Sequence, residues 1–281
     1  MLYWQIVEQL RAKVERADKH IRDLQEAWAT FEAEEYVVKI KDDRRTGKRT
    51  YHLVHAPDIP DAILCIAGDA VHNLRCALDH VAYQLASVYT TEVGWEERVY
   101  FPVGKDIAEF GKELSKASKF KTKTTPKTTV TIFHPDAIRN IKALEPYKGG
   151  RGEHFWHLHH LDIIDKHRLL LAAGAYSPNH GMPLENIRGY QVDFLGMEGT
   201  ESFKPGDFLQ GNNSAPFPLK CGDKLHTMSL SEVGENMPFK FEAAFRGPPF
   251  IERKPIIETL QNMSRAVRSM IREFDDAGLL S

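Results

Sequence analysis

The sequence predicts a mainly α fold with added β: a bundle of four long helices carrying a β-hairpin and a small β region as insertions. Three observations predict it. Apolar residues recur at three- and four-residue steps over four long stretches, the period of a helix with one buried face. Early in the chain, two β-rich runs flank a polar, glycine-containing loop. Between 175 and 250 the Gly and Pro content rises and further β patterns occur. The 281 residues are enough for one domain over 1–281 with a sizeable core.

The first helix is expected over 3–33, where Ile6, Leu10, Val14, Ala17, Ile21, Leu24, Trp28 and Phe31 form the stripe. "YVVKIK" and "RTYHLV" then read as the strands of a hairpin insertion over 36–55, joined by "DDRRTGK". Pro60 and Asp61 open the second helix, expected over 60–88, because proline suits a first helical turn. Its seam is Leu64, Ala67, Val71, Leu74, Leu78, Val81, Leu85 and Val88. Short elements follow: a strand at "RVYFPV", a helix near 106–117, an exposed Lys/Thr loop "SKFKTKTTPKTTVT", and a helix over 135–145 opened by Pro135. The third long helix is expected over 153–172 and the fourth over 254–277, with the second β insertion, including "YQVDFLGM" and "FKFEAAF", over 175–250 between them.

Formal net charge is -2, so bulk charge does not mark a nucleic-acid binder, although local basic patches are compatible with it. Cys65, Cys76 and Cys221 form neither a zinc-type pair nor an even disulfide set, which fits a reducing, cytoplasmic setting. The N-terminal stretch carries acids early and does not read as a signal peptide, and no apolar run approaches the ~18–20 residues of a membrane span. No membrane partner is expected.

The chemistry concentrates in "HNLRCALDH", His72 to His80. At about 100° per residue, Asp69, Asn73, Cys76, His80 and Tyr83 share one stripe of the helix, and His72, Arg75 and Asp79 share the next. Asp79 follows Arg75 by four residues and can pair with it. Polar groups beside a buried seam must reach a groove or be satisfied by a neighbouring helix. The third long helix is the natural neighbour: His160, Ile164 and His167 fall on one face, and "DKHR" puts both charge signs within two turns. One reading is an internal polar network that fixes helix register. His72 is expected to be a cap or surface group.

Arg75 and His80 stand as R-x4-H in "RCALDH". This resembles the signature of the HEPN superfamily, helical-bundle proteins that include metal-independent RNases. The resemblance implies a cleft lined by the Arg and His, commonly between two protomers, and hence a homodimer, RNA as partner, no cofactor, and a toxin or defence role. More broadly, "AGDAVHNLRCALDHVAYQL" and "LDIIDKHRLLL" resemble a bacterial family that shares these blocks and implies no particular activity. In an RNase, the 2′-hydroxyl of the RNA is the nucleophile. His80 would move its proton or protonate the leaving oxygen, and Arg75 would hold the phosphate. Asn73 stands beside the pair, and His167 is an in-chain candidate for the complementary acid or base.

Other constellations point elsewhere. "HFWHLHHLDIIDKH" places His157 and His160 at i,i+3 with Asp162 and Asp165 near, the raw material of a metal-dependent hydrolase, yet it has no HExxH and its ligands spread around the helix. Lys119, Lys121, Lys123 and Lys127 in the Lys/Thr stretch, with Phe120 among them, could contact RNA phosphates; Arg44, Arg45, Lys48 and Arg49 add to the basic groups. "PYKGGRGEH" lacks the phosphate-loop pattern, and no serine-nucleophile elbow occurs. The competing readings are therefore a HEPN-like RNase, a noncatalytic bundle that binds RNA, a nucleotide or a protein, and a metal-dependent hydrolase.

Overall fold

The first apolar stripe becomes α1 (Tyr3–Glu35), in which Leu10, Val14, Ala17, Ile21, Leu24 and Trp28 are buried. The computed structural model describes residues 3–121, 128–170, 172–176, 217–231, 239 and 241–281. Among these the fold is mainly α, with six helices and small antiparallel sheets.

By its contacts the chain divides into two compact units. The first comprises Met1–Gln25, Asp61–Leu170 and Ile256–Ser281; the second comprises Glu26–Pro60 and Leu171–Pro255.

The second unit holds the hairpin and the later β region. β1 (Val37–Asp43) pairs antiparallel with β2 (Lys48–His55), as the alternating patterns require, and Gly47 in the turn has φ of 66°, which favours glycine. In the first unit, α2 (Asp61–Ser87) realises the most regular seam in the sequence: Ala67, Val71, Leu74, Leu78, Val81 and Leu85 are all at most 1% exposed. Asp61 places its carboxylate in the first turn, where the helix dipole favours it.

The segment 98–103, expected as a strand, is irregular. Pro102 has no N–H to give a ladder, and the N–H and C=O of Phe101 are both taken by side chains of α2. α3 (Ile107–Ala117) starts where Asp106 accepts the Glu109 N–H at 2.8 Å, while Glu109 accepts the Lys105 N–H. The ends of the Lys/Thr stretch, expected as an exposed loop, pair as short strands, β3 (Lys119–Lys121) with β4 (Thr129–Thr131), and buried Phe120 alternates with two exposed lysines; 122–127 lie outside the described residues. α4 (Pro135–Leu144) begins on its proline.

α5 (Glu153–His167) stops short of the expected 172. Arg168 is extended, its N–H still closing on Ile164 O, and the chain passes into β5 (Ala172–Tyr176). The Leu/Ala run suits helix and strand alike, and pairing decides it. In the second unit β6 (Lys224–Ser229) joins the free edge of β2, and β7 (Phe241–Phe245) pairs with β5. The pattern at 190–197 lies outside the described residues. Tyr36 stacks on Phe241 at 4.6 Å, its Oη so close to Gly174 that a Cβ there would lie 2.0 Å away. Burial pushes the Tyr36 phenol up to about 12.

The last stripe becomes α6 (Ile256–Asp276), which closes the first unit's core with Leu260, Met263, Val267, Met270, Ile271 and Phe274. α2 packs on both α5 and α6, and α5 also meets α6. α1 is tied to α6 where the Asp18 carboxylate accepts from Ser264 Oγ and pairs with Arg268. α5 comes close to α2 at Gly68, where a Cβ would stand 2.3 Å from Asp165 Oδ1. The core prediction follows from the seam of α2. Leu78→Ala should cost ~2–5 kcal/mol and lower the urea midpoint, as for other fully buried leucines, whereas a loss below ~1 kcal/mol would place Leu78 outside the core.

Candidate functional site

Arg75 lies within the apolar seam of α2 and is 5% exposed. A guanidinium there must be paired and hydrogen-bonded, since burying it unmet costs several kcal/mol. Three neighbours meet it. Its Nη1 pairs with Asp79 Oδ1 at 2.7 Å, one turn along the same helix. Its Nη2 donates to Phe101 O at 3.2 Å, and its Nε donates to His159 Nδ1 of α5 at 3.2 Å. Asp79 Oδ1 also accepts the Phe101 N–H at 2.9 Å, so the Arg75–Asp79 pair clasps both polar groups of one backbone residue.

His159 did not stand out in the sequence, because its neighbours His157 and His160 drew the metal reading and it sits between them on another face. Burial, then the Arg75 charge, hold its imidazole down at about 4. It is therefore neutral at physiological pH, accepting at Nδ1 and carrying its proton on Nε2.

His80 points away from this network. It is exposed and lines a groove of about 530 Å³ together with Leu10, Asp79, Tyr83, Glu96 and Val99. Tyr83 leans on Trp95 at a ring distance of 5.1 Å, which stiffens that wall. Burial and the Lys13 ammonium hold His80 below its usual range, against the opposing pull of Asp79. His80 is thus a neutral imidazole with access to solvent. Arg75 and His80 do not share an open cleft: Asp79 faces the groove and Arg75 lies behind it.

The other expected site residues disperse. Asn73 turns back on its own helix, its Nδ2 donating to Asp69 O at 2.8 Å. His167 is exposed at the last residue of α5 and makes no hydrogen bond to Arg75 or His80. Lys119 and Lys121 are exposed on one face of β3, while Lys123 and Lys127 lie outside the described residues. In the second unit, Arg49 is held by Asp42 through bonds of 2.7 and 2.9 Å. The histidine-rich helix is partly core: His157 is buried and His160 meets the Trp156 ring edge-on at 4.4 Å. Among the described residues no three His, Cys, Asp or Glu side chains are placed to hold a metal ion.

His72, expected as a cap or surface group, is exposed and also stands in the middle of a second cluster. Its Nδ1 meets Asp162 Oδ1 of α5 at 3.0 Å, and its Nε2 lies 3.4 Å from Cys76 Sγ. Asp162 is 2% exposed and also pairs with Lys166 at 2.6 Å. Next to it, burial and the Asp162 charge raise the Asp165 carboxyl above its usual range. These groups touch in sequence rather than converge on a point.

No family model, curated protein or solved structure matches the chain.

The His159 shift has a sign that can be checked. Its folded-state pKa, about 4, lies below the reference 6.5, so the unfolded chain binds more protons between these values. Stability from this residue is complete above about pH 6.5 and is lost as pH falls towards about 4. Urea titrations across this window should show a steeper loss in wild type than in His159→Gln. Parallel curves would mean that His159 titrates alike in both states.

Proposed function

We propose that α1, α2, α5 and α6 form a four-helix bundle of HEPN-like type, and that the groove beside His80 binds a ligand without cleaving it. The observation that carries this reading is the position of Arg75. Its guanidinium has three internal partners and almost no exposure, so gripping a phosphate would require it to abandon the Asp79 carboxylate, a backbone carbonyl and an imidazole. The R-x4-H pair then divides its labour, with Arg75 fixing the helix and His80 facing the ligand. The groove combines apolar surface from Leu10, Val99 and the Tyr83 ring with the acceptors Asp79, Glu96 and neutral His80. That suits a small molecule or peptide segment with an apolar or aromatic body and hydrogen-bond donors.

One observation favours RNA cleavage as the second reading. His80 is solvent-accessible and neutral, the state required of a general base towards a 2′-hydroxyl. In that reading a homodimer supplies the complementary acid, and Lys119 and Lys121 contact phosphates.

Two measurements separate the readings. Ligand-observed NMR with a set of aromatic-amine fragments should give hits for wild type that disappear in Val99→Trp, which fills the groove; hits that persist in this variant would remove the groove from the account. Labelled RNA incubated with wild type and with His80→Ala, in the presence of chelator, should show no His80-dependent cleavage. Cleavage by wild type that falls by ~10²–10⁴ in a folded His80→Ala would replace binding by catalysis.

A further inference from the structure

The cluster on the other polar stripe of α2 is independent of the groove. Cys76 Sγ, His72 Nε2, His72 Nδ1 and Asp162 Oδ1 form a continuous path, with 3.4 Å between the thiol and the ring and 3.0 Å between the ring and the carboxylate. A nucleophile, a base and a group that orients the base within reach of one another is the arrangement that activates a thiol or hydroxyl. Asp162 is buried and held by Lys166, while the His72 side chain is 51% exposed and Cys76 is half-buried. The orienting end is thus fixed and the reactive end is open.

We propose that Cys76, His72 and Asp162 form a thiol–disulfide exchange site that takes small soluble disulfides. The tautomer follows from the contacts. Asp162 accepts only, so His72 carries its proton on Nδ1 and offers the lone pair of Nε2 to the thiol. Five groups set the electrostatics: Lys13 of α1 and Lys166 of α5 favour a thiolate, Asp79 and Asp162 oppose it, and His72 stands beside it. Burial outweighs these and holds the thiol above its usual range. The resting thiol is therefore protonated, and its proton moves only as sulfur attacks.

The step balances without a further reagent. His72 Nε2 takes the thiol proton as Cys76 Sγ attacks one sulfur of the disulfide. A new S–S bond forms and the old one breaks, and the leaving thiolate departs with the electron pair and receives the proton from His72. The protein thiol is oxidised and one half of the small disulfide is reduced. Acyl transfer fits the site less well. Cys76 lies in the middle of α2, where the backbone N–H groups are committed to the helix, and the Asn73 amide is bonded to Asp69 O, so neither offers a backbone or amide donor to a tetrahedral oxyanion. Disulfide exchange develops no such oxyanion.

Cys65 and Cys221 are internal controls, because both are exposed free thiols and neither lies in this cluster. The experiment treats the full chain with oxidised glutathione at pH 7 and follows mixed-disulfide formation at each cysteine by peptide mass spectrometry. Cys76 should react ~10-fold or more faster than Cys65 and Cys221, and His72→Gln should remove that advantage, in keeping with loss of a positioned base. Raising the pH to about 10, where thiols ionise unaided, should restore the His72→Gln rate towards wild type. Wild-type Cys76 reacting no faster than the other two, or an unchanged rate in His72→Gln at pH 7, would overturn the proposal. If His72→Gln fails to fold by circular dichroism, the three-way comparison in wild type decides the question alone.

Discussion

The organisation of the first unit turns on the burial of one guanidinium. Arg75 stands where the seam of α2 would otherwise carry an apolar residue, and its charge cannot remain there unmet. Each partner that meets it fixes a different part of the molecule. His159 sets the register of α5 against α2, Asp79 is drawn to the edge of the groove, and Phe101 is held by both its N–H and its C=O. A buried network of this kind contributes little net stability compared with apolar packing, but it penalises every arrangement that leaves one member unpaired. It selects one register for the helices and one path for the chain after α2.

That constraint separates the two polar stripes of α2 into different chemistries. On one, Asp79 shields the Arg75 charge from the groove, so His80 faces solvent as a neutral imidazole beside carboxylates and apolar surface. On the other, His72 bridges a half-buried thiol and a fully buried carboxylate. The same α5 supplies both anchors, His159 and Asp162, one for each stripe. α5 is accordingly the long helix whose outer and inner faces are least distinct in sequence: His157 and Asp162 are buried among Phe155, Trp156, Leu158 and Leu161.

Much of the fold was legible in the sequence because period alone determines it. The stripes of α1, α2 and α6 are long enough for the buried face to be read directly, and the hairpin at β1 and β2 announces itself by alternation around a glycine turn. The elements that differ from expectation are those set by partners distant in sequence. The end of α5 depends on β5 finding β7, the path of 98–103 depends on Arg75 and Asp79, and the strand at Lys119–Lys121 depends on Phe120 being buried. The site shows the same division. Helical geometry placed Arg75 beside Asp79, but it could not say that His159 rather than His160 or His167 would face the guanidinium. Nor could it show that His72, read as a surface group, would find Asp162. A helical wheel gives directions and not the register of the facing helix.

The central claim is that Arg75 is committed inward and holds the chain at Phe101. Hydrogen exchange read by mass spectrometry on peptides covering 98–103 tests it most directly, since the Phe101 amide owes its protection to the Asp79 carboxylate that Arg75 orients. In Arg75→Met, exchange in this segment should be faster than in wild type while the amides of α3 keep their rates. Equal exchange at Phe101 in wild type and Arg75→Met would contradict the account and return the guanidinium to the solvent side of the helix.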